Sequence, residues 1–191
     1  DGVAVASGMS AVFTAFAGLL NRGDHVLAAR NVFGSTHQIL TKILPRWGIT
    51  HSYGDLLEPE TWAGLVRPET RLCYVETPSN PGLDLIDLDW LGAFCRDRGI
   101  LLMVDNIFAT PILQKPLRHG AELVMHSATK YIDGQGRGIG GVILGSRRVV
   151  EDIRFFARHS GPALSPFNAW MFSKSLETLA LRVERHSDNA E

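Results

Sequence analysis

The chain has 191 residues, a formal net charge of −1, 45% apolar residues and 20% charged ones. That is an ordinary globular balance, and it offers no electrostatic case for binding nucleic acid or an anionic membrane. No apolar run reaches the roughly 18 residues of a membrane span, and no signal peptide, low-complexity tract or internal repeat stands out.

"GVAVAS" opens the chain as a short apolar strand. "GMSAVFTAFAGLLNRGD" follows with helical spacing, placing Met9, Val12, Phe13, Phe16, Leu19 and Leu20 on one side. "HVLAA" (25–29) is the next strand. "STHQILTKILPRWG" is predicted as a helix running from an N-cap at Ser35 to Gly48. "ITHSYG" reads as a strand, "EPETWAGLV" as a helix, and "TRLCYVETPSNPG" as a strand entering a loop rich in proline and asparagine. "DLDWLGAFCRDRG" is a helix with Asp87 as its cap. "ILLMVDN" is a near-continuous apolar strand of the kind buried on both faces. "AELVMHS" and "GVILGS" are two more strands, followed by the helices "RRVVEDIRFFARH" and "SPFNAWMFSKSLETLALRVERH".

Strands alternating with helices at this spacing predict an α/β fold, a mostly parallel sheet flanked by helices. Ligands bind such sheets beyond the carboxyl ends of the strands, where this chain puts Ser7, Glu76, Asp105 and Ser127. Cys73 and Cys95, each in apolar surroundings, suit buried free thiols in a reducing compartment such as the cytoplasm. The first residues already lie in a strand and the last in a helix, which predicts the middle of a longer protein.

Asp105 directly follows "ILLMV". It is either a turn or cap residue or an anion kept ionised to pair with a cationic ligand atom. Lys130, one of four lysines, sits where "AELVMHS" leaves the sheet. Its amine either reaches water or forms an imine with a bound carbonyl compound. Ser127 and Thr129 flank Ala128 and bring hydroxyls within reach of an anion near Lys130. "ASGMSA" puts Ser7 and Gly8 at a strand-to-helix turn, where free amides and the helix dipole favour a phosphate. A phosphate cradle, an acid and an imine-forming lysine are together what pyridoxal 5′-phosphate requires.

With "ASGMSA", "ETPSNP", "VDNIFATP", "HSATKYIDG" and "SLETLALRVERH" in this order, the sequence resembles the Cys/Met-metabolism family of fold-type I pyridoxal-phosphate enzymes along nearly all its length. "DGQGR", "RHSGPALSPFNAW" and "NVFGST" are most similar to the branch of O-succinylhomoserine sulfhydrylases. The resemblance implies that residues 1–191 are the central cofactor-binding domain, with an N-terminal segment and a C-terminal domain outside them. It implies that Lys130 forms the Schiff base and that Asp105 pairs with the pyridine nitrogen. The phosphate would be held by Ser127, Thr129 and the amides at Gly8 and Met9 beside Ser7, with Asn80 near the phenolic oxygen. Where the family usually stacks a tyrosine on the ring, this chain has Phe33, which keeps the stacking and loses the hydroxyl. Lys130 then carries more of the proton transfer, and partial burial would tune its amine. Glu122, where aspartate is common, is expected to be remote from the ring.

The implied activity is γ-replacement on an O-acylhomoserine by sulfide or a thiol, giving homocysteine for methionine biosynthesis in a homotetramer. Cystathionine γ-synthase or γ-lyase chemistry is the alternative within the family. Outside it, S-x-x-K at Ser127–Lys130 with "SDN" at Ser187–Asn189 fits a serine acyl transferase of the β-lactamase type, but no K-T-G accompanies them. A non-catalytic scaffold is the third class, and intact Lys130 and Asp105 argue against it. The formal G-x-G-x-x-G at Gly136, Gly138 and Gly141 precedes a strand instead of opening a helix, so it reads as a turn and not a dinucleotide fingerprint. The seven histidines show no metal-ligand spacing, and His126 is expected to face away from Ser127.

Overall fold

A computed structural model describes residues 1–191. Its seven strands are β1 (Gly2–Val5), β2 (His25–Ala29), β3 (Thr50–Gly54), β4 (Thr70–Glu76), β5 (Leu101–Asp105), β6 (Leu123–Ser127) and β7 (Gly141–Gly145). They form one sheet in the order β1-β7-β6-β5-β4-β2-β3. Only β7 is antiparallel to its neighbours, β1 and β6, so the carboxyl ends of the other six strands share one edge. The apolar runs explain the position of the central strands. β2, β4, β5 and β6 are buried along nearly their whole length, which requires cover on both faces.

The helices are α1 (Gly8–Leu19), α2 (Gly34–Gln38), α3 (Leu88–Arg96), α4 (Thr110–Leu113), α5 (Arg147–Ser160), α6 (Pro166–Leu176) and α7 (Leu179–Ala190). α1 packs on β6 and β7 and against α5, and Gly18 permits the approach: a Cβ there would lie 3.1 Å from the Ile153 Cα. Asp87 caps α3, accepting from the amides of Asp89 and Trp90 as its position predicted. A small second core of Ala128, Ile132, Met171, Phe172, Leu179 and Val183 joins the turn after β6 to α6 and α7. Cys73 and Cys95 are free and buried. No helix is long and apolar enough to cross a membrane.

Three helical expectations need correction. The helix predicted from an N-cap at Ser35 begins two residues earlier, with Phe33 in the cap position, and Ser35 lies inside it without capping. After Gln38 it loosens to a π-helix (Ile39–Ile43) and then tightens to a 3-10 turn (Leu44–Trp47). Pro45 explains the change, because it has no amide to donate and its ring crowds the carbonyl four residues back. "EPETWAGLV" winds as a 3-10 helix (Pro59–Leu65) around buried Trp62, whose Nε1 donates to the Asp55 carbonyl at 2.7 Å. The helix predicted across Ser165–His186 is two, broken at Glu177–Thr178. There Thr178 leaves the α region (φ −112°, ψ 4°) and the amides of both residues reach back only three positions.

His25 and His126 are buried among the strands, and desolvation lowers each to about 4; for His25 the nearby Arg67 and His51 add to the effect. Between pH 6.5 and 4 the unfolded chain therefore binds protons at these positions that the folded chain refuses, so their contribution to stability falls as pH falls through that window. We expect His126→Gln to flatten the pH dependence of unfolding between pH 4 and 6.5 by up to about 3 kcal/mol. Denaturant titrations at several pH values would show it, and an unchanged slope would refute it.

Candidate active site

The carboxyl ends of β1, β4, β5 and β6 converge on a cavity of about 330 Å³ beside the start of α1. All nine candidate residues line it: Ser7, Gly8, Met9, Phe33, Asn80, Asp105, Ser127, Thr129 and Lys130. Residues spread over more than 120 positions of sequence are thus neighbours, because parallel strands deliver their last residues to one edge.

On one wall stands the start of α1. Ser7 caps it, its Oγ accepting from the Ser10 amide at 3.0 Å, so that hydroxyl is committed to the helix. The amides of Gly8 and Met9 head the first turn, among the four that a helix leaves without internal acceptors. Gly8 faces Ser127 so closely that a Cβ would sit 2.6 Å from the Ser127 Cβ and 2.8 Å from its Oγ. Gly141 plays the same part behind them, where a Cβ would strike the Ser7 carbonyl. The Thr129 hydroxyl is engaged with the backbone of Gly140, accepting from its amide at 3.1 Å, so it fastens the glycine run as well as facing the pocket. That run leads into β7 and opens no helix.

The floor is acidic. Asp105 is buried at the end of β5; its Oδ2 accepts from the Tyr74 hydroxyl at 2.9 Å and its Oδ1 from the Ile107 amide at 3.2 Å. Burial, and then the charge of neighbouring Glu76, raise the Asp105 carboxyl well above the usual range, while its hydrogen bonds pull the other way. Glu76 is 2% exposed, and burial lifts its carboxyl to about 7 against a hydrogen bond from the Phe33 amide at 2.7 Å. Thr36, also buried against the pocket, has an Oγ1 with no hydrogen-bond partner in the chain. Glu76 was visible as a polar strand end. Thr36 was hidden, because nothing in "NVFGST" distinguishes a pocket hydroxyl from a helix-start hydroxyl.

Lys130 lies in a single π-helical turn (Ala128–Ile132) after β6, with a non-helical backbone of its own (φ −93°, ψ −116°). It is exposed at the mouth of the cavity, so the expected partial burial is absent. Two arginines hold this turn, and sequence spacing pointed to neither. Arg182 of α7 donates to the carbonyls of Tyr131 (2.6 Å), Ile132 (3.0 Å) and Ser175 (2.9 Å). In "DGQGR", Asp133 is buried and accepts from the Arg137 amide (2.7 Å) and Nε (3.1 Å). Burial alone would raise that carboxyl, and the Arg137 and Gln135 bonds outweigh it and hold it below its usual value.

The competing readings fare differently. Ser187–Asn189 belong to α7 and line no part of the pocket. His126 is buried away from it, as the alternation on β6 required. Glu122 is remote from the cavity and accepts from the Leu102 amide, tying β6 to β5. No group of three or more histidine, cysteine or acidic side chains could hold a metal.

The chain is 50% identical over 188 residues to an O-succinylhomoserine sulfhydrylase of Pseudomonas aeruginosa, covering 98% of this chain and 47% of that protein. It is 40% identical over 190 residues to a cystathionine gamma-lyase of Bacillus subtilis, covering 99% and 50%. The crystal structure of metB from Corynebacterium glutamicum superimposes with a TM-score of 0.96 at 35% identity, over 99% of this chain and 49% of that one. The chain therefore spans about half the length of the relatives it matches. The sequence profile of the Cys/Met metabolism PLP-dependent enzymes matches residues 1–191. A pocket with an acid floor, a helix start and a lysine at its mouth, on this fold and with these relatives, places the chain in that family, whose cofactor is pyridoxal phosphate.

Proposed function

We propose that these residues form the cofactor-binding region of an enzyme that replaces the γ-acyloxy group of an O-acylhomoserine, O-succinylhomoserine in particular, with sulfide. The observation that carries the chemistry is that Lys130 and Asp105 line one cavity, with no other cation among its lining residues. The cavity suits the cofactor on its own terms. Gly8 packs directly on Ser127, which holds the free amides at the start of α1 beside the Ser127 hydroxyl for one anion, and a buried acid with no protein cation beside it suits a cationic ring nitrogen. The choice of substrate rests on the 50% identity to the Pseudomonas sulfhydrylase, set against 40% to the Bacillus cystathionine gamma-lyase.

When bound, pyridoxal phosphate supplies an electron-withdrawing ring that spreads the electron pair left by proton loss at Cα and Cβ. The protein does the rest. Asp105 would keep the ring nitrogen protonated, Ser127, Thr129 and the amides of Gly8 and Met9 would hold the phosphate, and Asn80 and Phe33 would position the ring. Phe33 has no hydroxyl, so the Lys130 amine moves the protons at Cα and Cβ itself, and the arginine latches keep it within reach. The electron pair left at Cβ expels the acyl group from Cγ as succinate, hydrosulfide then adds at Cγ, and the Lys130 amine returns the protons to Cβ and Cα to give homocysteine.

We expect Gly8→Ala to weaken cofactor affinity by about tenfold or more, since the new methyl must push α1 away from Ser127. Fluorescence titration of the stripped protein would measure this, and an unchanged affinity would count against the phosphate site. The substrate assignment is tested by supplying the whole protein with O-succinyl-, O-acetyl- and O-phosphohomoserine, each with sulfide or cysteine, and with cystathionine alone. Fastest homocysteine release from the succinyl ester and sulfide is expected. Faster cystathionine formation or cleavage would move the enzyme to the synthase or lyase branch. The whole protein is expected to be a cytoplasmic homotetramer, which sedimentation would check for its assembly.

A further inference from the structure

The proposed mechanism makes no use of Glu76, although it is a second carboxyl group buried in the same pocket. It closes β4 as Asp105 closes β5, and the two residues are paired directly in the parallel ladder. Strands in a sheet lie about 4.8 Å apart, so the two carboxyl groups are near neighbours on one edge. Glu76 Oε2 accepts the Phe33 amide at 2.7 Å, fixing the start of α2 and with it the aromatic ring that walls the cavity. From the same start of α2, Thr36 brings its unpartnered hydroxyl to this end of the pocket.

We propose that Glu76 is a positioning residue of this site: it fastens the Phe33 wall to the acid floor and supplies a second charge that strengthens the hold of Asp105 on a cationic ring. The proposal rests on the reading of the pocket as a pyridoxal-phosphate site. The titratable groups around Glu76 are few. Asp105 faces it from β5 and Tyr74 from its own strand, and Lys130 and Tyr131 border the cavity from the turn after β6; Arg30, which follows β2, and His37 of α2, bonded to the Tyr53 hydroxyl, do not line the cavity. Lys130 is the one cation that lines it.

The physical consequence has a definite sign. Two buried carboxyl groups side by side resist ionising together, and a cation bound between them and Lys130 relieves that resistance. With the cation present Glu76 can ionise as well, and its charge then favours the protonated form of whatever Lys130 is bonded to. Removing it makes that proton easier to lose. Burial has already set the Glu76 carboxyl near neutrality, where such a balance responds to pH.

Glu76→Gln separates the two tasks, because its amide oxygen still accepts from the Phe33 amide while the charge is gone. In the whole protein loaded with cofactor, the pH titration of the visible band of lysine-bound cofactor is the measurement. The Gln variant should show its spectral transition at lower pH, by about one unit. Cofactor affinity of the Gln variant should fall several-fold above pH 7, where Glu76 is ionised before the cofactor binds, and by less near pH 6, where it must first give up a proton. A transition at the wild-type pH would overturn the proposal, and so would loss of the band in a folded Gln variant. Should Glu76→Gln fail to fold, Glu76→Asp replaces it: that variant keeps the charge and draws it off the Phe33 amide. Its transition should then stay in place while cofactor affinity falls several-fold, and unchanged affinity would overturn the proposal. If the wild type itself shows no band, it is the cofactor reading of the pocket that fails.

Discussion

Replacing Lys130 with alanine in the whole protein should remove the visible band of the bound cofactor and lower turnover by at least about 10³-fold. Three observations make this the largest effect expected of any single change. Lys130 is the sole cation lining the cavity, it is exposed there, and its turn is held by Arg182 and by Asp133 through Arg137. That anchoring matters for interpreting the result. The turn packs through Ala128 and Ile132, not through the lysine, which is exposed, so the variant should fold and melt close to wild type. Lys130→Arg sharpens the test. Arginine restores the charge but does not give up its proton in proteins, so it can neither bond to the cofactor nor act as a base. Equal loss in both variants would assign the effect to amine chemistry, and recovery in Lys130→Arg would show that only charge is needed.

The second large effect belongs to Asp105. Asp105→Asn should reduce turnover by about 10²–10³-fold, as expected when a preorganised charge opposite the reacting system is removed. It should also change how stability depends on pH. In the folded chain without cofactor the Asp105 carboxyl is raised well above its ordinary value by burial and by Glu76. The folded state then holds a proton that the unfolded state releases, so the contribution of Asp105 to stability falls as pH rises above about 4. Asparagine has no such titration. Stripped Asp105→Asn protein should therefore lose less stability than stripped wild type between pH 4 and 8, whatever its absolute stability. Adding cofactor should stabilise the wild type more than the variant, because a ligand that binds only the folded state raises stability in step with its affinity. Parallel pH slopes in the stripped proteins, with equal stabilisation by cofactor, would remove Asp105 from the site.

Much of this protein was legible in its residues. The apolar runs of "HVLAA", "LCYVE", "LLMVD" and "LVMHS" determined central strands, because only a strand covered on both faces can be apolar throughout. Their alternation with helices determined a mainly parallel sheet, and Asp105 and Ser127 followed as pocket residues because they end strands, Ser7 because it caps the helix that follows one. The Asp87 cap was legible for a similar reason: its hydrogen bonds reach only two and three residues along.

Tertiary structure alone decided what depends on partners far away in the chain. Local spacing favours one helix across Ser165–His186, yet α6 and α7 are separate, and Arg182 reaches back to carbonyls about 50 residues earlier to hold the Lys130 turn. The reversed direction of β7, the Glu76–Asp105 pairing, the Glu76 bond to the Phe33 amide and the unpartnered Thr36 hydroxyl are likewise contacts between segments. Periodicity reports which face of an element is buried. Which distant atom meets that face is settled only when the sheet has brought its strand ends to one edge.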